Sequence, residues 1–165
     1  MGFPWSLAVA IGVPELLGSL VGQSTRENLL NWFATLKKPS WEPPGPLFGI
    51  AWTILYGVMG YASWRVWLVG GWQANQVALS LYVLQLALNL CWPLVFFNAK
   101  KLKEALALNL VVLATAALTA SKFYKVDPLA GKLMLPYVAW LAFANALNYA
   151  VWQLNPQVLT PAVAL

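Results

Sequence analysis

The chain contains no histidine and one cysteine, Cys91, in 165 residues. Without histidine it lacks the commonest general base, the commonest metal ligand and the usual proximal ligand of haem iron. A lone cysteine forms no internal disulfide and no cysteine-cluster metal site. Charge is scarce as well. Five acids and ten bases make up 9% of the residues, against about a quarter in a soluble domain. The acids form no evident acid–base pair, and the sequence has neither a nucleophile elbow nor a phosphate-cradling glycine loop. These absences argue against an enzyme; no metal is expected and no cofactor is required. Met1–Trp5 carries no basic residue, so the first apolar run is expected to belong to the fold and not to a cleaved signal peptide. The net charge of +5 fits membrane topology and lipid headgroups better than nucleic acid.

Long apolar runs are abundant. The charges fall in the gaps between them, at Arg26–Glu27, Lys37–Lys38, Lys100–Glu104 and Lys122–Lys132, with Glu15, Glu42 and Arg65 elsewhere. Crossing about 30 Å of hydrocarbon takes roughly 20 helical residues. The pattern therefore predicts spans at about 3–23, 47–69, 74–97, 104–123 and 129–154. This is an all-α architecture, a single five-span membrane domain over 1–165, embedded in membrane lipids. Pro14, Pro93 and Pro136 interrupt three of the runs, and neighbouring helices can satisfy the freed carbonyls. Ser24–Pro46 reads as one long proline-rich loop, with a short interfacial helix at Asn28–Leu36. The other loops are short, so successive spans should pack antiparallel. Six bases in the first and third loops against four on the opposite side predict that those loops and the C-terminus are cytoplasmic.

Ten tryptophans need an account. Trp5, Trp32, Trp64, Trp67, Trp72 and Trp152 lie near run ends, where aromatic belts form. Trp52, Trp92 and Trp140 lie inside runs, and each carries an N–H that needs a partner. Trp52 shares a helical face with Phe48 and Tyr56; Trp92 shares one with Gln85 and Asn89; Trp140 lies near Tyr137, Ala144 and Leu147. Either these aromatics simply pack between helices, or they line an apolar cavity with a few polar anchors. The amides Gln85, Asn89, Asn109, Asn145 and Asn148 should face the bundle interior, as helix-to-helix contacts or as ligand hydrogen bonds. Glu15 is the one acid well inside a run and has no basic partner at similar depth, which makes it a functional candidate. Gly18 and Gly22 form a small-xxx-small pair.

Residues 32–44 (WFATLKKPSWEPP), Trp52 to Tyr56 (WTILY), Gln85 to Asn89 (QLALN), Trp92 to Phe97, Leu135 to Ala144 (LPYVAWLAFA) and Leu147 to Tyr149 together resemble the translocator protein family, also called the tryptophan-rich sensory protein or peripheral benzodiazepine receptor family. The similarity runs through nearly the whole chain in order. It implies a five-helix bundle with a ligand cavity under the first loop, often paired as a homodimer, in a bacterial or mitochondrial outer membrane. It also implies ligands of the protoporphyrin IX, cholesterol and benzodiazepine-site drug classes. By motif position the cavity would use Gly18 and Gly22; Phe48, Gly49, Ala51, Trp52 and Tyr56; Asn89 and Trp92; Ala107; and Trp140, Phe143, Ala144 and Leu147. Trp52 and Trp140 match the tryptophans tied to light-dependent porphyrin breakdown in some relatives. Leu147 and Tyr149 fall in the family's sterol segment, but Gln153 follows where that motif wants a base. Glu104 stands where animal relatives place a tryptophan, and Ser80 and Leu84 replace a glycine pair.

The expected function is a membrane receptor or sensor for tetrapyrroles and other apolar ligands, with Arg26, Lys37 or Lys38 in the loop meeting ligand carboxylates. The alternatives are a transporter of porphyrin or sterol and a structural membrane protein with an incidental cavity.

Overall fold

The computed structural model describes residues 5–156, and every regular element among them is helical. Helix α1 spans Trp5–Asn28 and continues as a π turn, Leu29–Phe33. Helix α2 spans Gly45–Leu68, α3 is the single turn Gly71–Ala74, and α4 spans Gln76–Pro93 before a second π turn, Leu94–Asn98. Helix α5 spans Leu102–Val126, α6 Pro128–Leu133 and α7 Leu135–Leu154.

Local chemistry sets these boundaries. Pro44 precedes α2 and Pro46 occupies its first turn, where a missing N–H costs nothing. Past its other end Gly70 and Gly71 take φ of 99° and 66°, left-handed values that glycine adopts without a Cβ clash. Asp127 starts α6 by accepting hydrogen bonds from the backbone N–H groups of Leu129 at 2.8 Å and Ala130 at 3.3 Å. Such a cap is worth about 1 kcal/mol.

Two expectations need correction. The first run does not end near Gln23. The Ser24 and Thr25 hydroxyls donate to the Val21 carbonyl at 2.8 and 3.1 Å, so these polar side chains are satisfied within the helix. The irregular connection is thus 36–44, much shorter than Ser24–Pro46; the expected start at Phe3 lies outside the described residues. The last run is not one helix from 129 to 154, because it breaks at Met134. Pro136 lacks the N–H that would bond the Lys132 carbonyl, so it sits in the first turn of a new helix.

Met59, Ala62, Val66, Val112, Ala116, Phe123, Tyr137 and Leu141 form the buried centre. The outer faces carry exposed Leu16, Leu20, Ile50, Ile54, Val83, Leu110 and Leu118. An apolar exterior on helix after helix suits lipid and not water. Among the described residues, four helical stretches are long and apolar enough to cross a membrane: Trp5–Phe33, Gly45–Leu68, Gln76–Asn98 and Leu102–Val126.

The bundle has two distinct ends. At one, the 36–44 connection, both π turns and the C-terminus of α7 come together; Asn28 Nδ2 donates to Asn98 Oδ1 at 3.0 Å, and Asn155 bonds the Lys37 backbone. At the other, Arg65 Nε and Nη2 both reach Asp127 Oδ2 at 2.8 Å, joining α2 to the α5–α6 junction.

Candidate functional site

A cavity of about 420 Å³ opens between α1, α2, α4 and α7. Two successive spacings of four place Phe48, Trp52 and Tyr56 on one face of α2, and all three reach its wall. The Trp52 ring lies 5.5 Å from Tyr56 and 6.4 Å from Trp140, the latter edge-on. Phe48 packs edge-on to Trp140 at 5.7 Å. On the α4 side, Trp92 stacks on Phe96 at 4.8 Å. Phe33 of the first π turn meets Phe96 and Phe97 of the second at 5.7 and 5.5 Å. π turns add a residue to the helical repeat and recur at functional sites; here each turns phenylalanine rings toward the cavity.

Few polar groups interrupt this aromatic wall. Tyr56 Oη donates to Asn89 Oδ1 at 2.8 Å. Trp92 Nε1 donates to Asn148 Oδ1 at 3.2 Å, and Asn148 Nδ2 donates to the Leu102 carbonyl at 3.0 Å. Trp140 Nε1 is buried without a hydrogen-bond partner among the described residues. Below the cavity the bundle is closed by fully buried Met59, Gln85, Tyr137 and Leu141, with Tyr137 Oη donating to Gln85 Oε1 at 2.7 Å. Gln85 therefore serves the helix packing and does not line the cavity.

At the mouth, Glu42 and Gly45 contribute to the wall. The connection carrying Glu42 is fastened by Asn155, which is fully buried. Asn155 Oδ1 accepts from the Lys37 N–H at 2.9 Å, and Asn155 Nδ2 donates to the Lys37 carbonyl at 2.8 Å. Nothing in the local sequence around Asn155 signals this pairing across 118 positions.

The cavity gathers Gly18, Gly22, Phe48, Gly49, Trp52, Tyr56, Asn89, Trp92, Trp140, Ala144 and Leu147. Three anticipated residues are not in its wall. Ala107 is exposed on α5, a helix that contributes nothing to the lining. Ala51 is rotated about 100° from Trp52 along α2 and falls outside the lining. Phe143 falls outside the lining, its ring 5.4 Å from Trp140 and 5.8 Å from Trp41. Leu147 and Tyr149, paired in the sterol segment, point apart: Leu147 is buried and Tyr149 exposed, as a separation of two residues on a helix requires. None of Arg26, Lys37 and Lys38 lines the cavity, whereas Glu15 and Glu42 do.

A larger space of about 630 Å³ lies between α1, α2 and α4, against Trp64, Trp67, Trp72 and Tyr82. Its walls include exposed Val9, Val13 and Val83, so it is a groove on the apolar exterior. Enclosure together with convergent polar anchors favours the smaller cavity as the binding site.

Residues 10–153 match the model of the TspO/MBR family. The chain is 44% identical to the translocator protein of Homo sapiens over 158 residues, 94% of each chain. It is 36% identical to the tryptophan-rich sensory protein of Cereibacter sphaeroides over 159 residues, 94% of this chain and 95% of that one. Protein CrtK of Rhodobacter capsulatus is 38% identical over 128 residues, 76% of this chain and 79% of its own.

Proposed function

The chain belongs to the TspO/MBR family and is a multi-pass integral membrane protein, and from that premise we propose that it is a receptor for planar apolar small molecules, tetrapyrroles first among them. The observation that carries this reading is the partly enclosed aromatic cavity, about 420 Å³, with a few fixed polar groups. That size and composition are typical of small-molecule sites. Trp52, Trp92 and Trp140 offer ring faces and edges to a flat aromatic ligand. With no histidine in the chain, binding would rest on ring contacts and not on imidazole ligation of iron.

In this reading α7 is the fifth crossing. It is 20 residues long, and the amides that lower its hydropathy, Asn145 and Asn148, are buried inward, so its lipid face is more apolar than its average. The 36–44 connection, held by Asn155 and supplying Glu42 to the mouth, is the lid. The closed packing beneath Tyr56 favours a receptor over a conduit. No catalytic residue and no resident cofactor is invoked.

Titrating the detergent-solubilised chain with protoporphyrin IX tests the proposal through quenching of tryptophan fluorescence. Saturable quenching is expected. Under illumination the bound porphyrin should be lost several-fold more slowly in Trp52→Phe and Trp140→Phe, because an indole that can donate an electron has been removed. Quenching that never saturates would overturn the receptor reading. Equal bleaching of wild type and both variants would remove the photochemical role. Porphyrin flux into proteoliposomes above that of empty vesicles would instead support a transporter.

A further inference from the structure

The chain carries twice as many bases as acids, yet the cavity wall contains Glu15 and Glu42 and neither lysine nor arginine. The two acids differ. Glu42, at the mouth, has Lys38 Nζ at 4.0 Å. Glu15, on α1 at the deep end, forms no ion pair among the described residues. Its Oε1 lies against Gly57, where an added methyl would sit 3.4 Å away. The neighbouring Tyr56 gives its one proton to Asn89 and so offers Glu15 no donor. Arg65, a base within α2, is committed to Asp127 at the other end of the bundle.

A carboxylate facing a low-dielectric space without a cation is costly, and intramembrane acids of this kind mark functional sites. An arriving ammonium would remove that cost, and the faces of Trp52 and Tyr56 in the same cavity would attract it further. We propose that Glu15 gives the deep end of the cavity a preference for aromatic or polycyclic ligands bearing one protonated amine, with the ammonium seated on Glu15, while the carboxylates of a tetrapyrrole would lie at the mouth, on the side of Lys38 and Glu42. This rests on the cavity being a ligand site, as proposed above, and adds the class of head group that it prefers.

Three fluorescent probes share one polycycle and differ only in the end group: 1-pyrenebutylamine, 1-pyrenebutanol and 1-pyrenebutyric acid. Each is titrated into the full chain in a nonionic detergent at neutral pH and followed by energy transfer from tryptophan. The amine should bind about tenfold more tightly than the alcohol, the equivalent of one charge-assisted hydrogen bond, and more tightly than the acid as well. In Glu15→Gln the amine's advantage over the alcohol should vanish. Equal affinity of amine and alcohol in the wild type overturns this inference and leaves the cavity reading intact. An advantage that survives in Glu15→Gln also overturns it. Failure of all three probes to saturate overturns both readings. The wild-type ranking needs no variant, so it stands as a test even where Glu15→Gln folds poorly.

Discussion

At Gly60 the backbones of the first two helices come close together. Pro14 has no N–H for the Ala10 carbonyl, and that oxygen lies against Gly60, where an added methyl would collide with it and with Ile11 Cα. Both obstacles are backbone, so neither can swing aside. Gly60→Ala should therefore cost about 1–3 kcal/mol, the range for overpacking a close contact, and lower the melting temperature in detergent. Gly12→Ala, with nothing within 4 Å, should leave it nearly unchanged; equal effects of the two would refute the close-contact account. At this scale the sequence was informative where spacing alone decides direction. Phe48, Trp52 and Tyr56 share a face by count, and they share a wall. It was uninformative where a partner helix decides. Ala107 and Phe143 are placed by resemblance, but α5 contributes nothing to the lining and Phe143 packs against Trp140 and Trp41 outside it.

Elements were legible in their interiors and not at their ends. Apolar runs mark where helices lie because lipid-facing positions must be apolar throughout. Their ends depend on contacts the runs do not encode: hydroxyls of Ser24 and Thr25 folded back on α1, a π turn after each of α1 and α4, and a proline that moves the start of α7 to Leu135. The 36–44 connection is the clearest case, since its order comes from a buried asparagine at the far end of the chain. Asn155→Ala would remove both bonds to Lys37 and leave a backbone N–H and carbonyl to find water, a local loss of about 1–3 kcal/mol. Trypsin cleavage after Lys37 (Lys38 is shielded by Pro39) should accelerate about tenfold, since about 1.4 kcal/mol of local opening is a factor of ten. Bound porphyrin should also dissociate faster. Unchanged cleavage and dissociation would mean that the connection is held by other contacts, such as buried Leu36.

The whole molecule is organised about two ends that do different work. The end bearing Lys37, Lys38, Lys100, Lys101 and Lys103 carries the cavity mouth. The opposite end is tied by Asp127, which caps α6 and grips Arg65 of α2 in one arrangement. Asp127 lies outside the spans, where its titration can be followed. Burial alone would raise its pKa. The Arg65 guanidinium and the Ala130 and Leu129 N–H groups together outweigh that, and hold the carboxyl below its ordinary value. A folded-state pKa below the unfolded one, about 3.9 for aspartate, contributes stability at higher pH and loses it as pH falls through the folded value. Melting temperature measured in detergent from about pH 6 down to about pH 3 should therefore drop in the wild type across the lower part of that range. Asp127→Asn should start lower at neutral pH and fall less, so that the two curves converge in acid. Parallel curves would show that this end of the bundle draws no stability from the ionised carboxylate, and that helix packing alone joins α2 to α6.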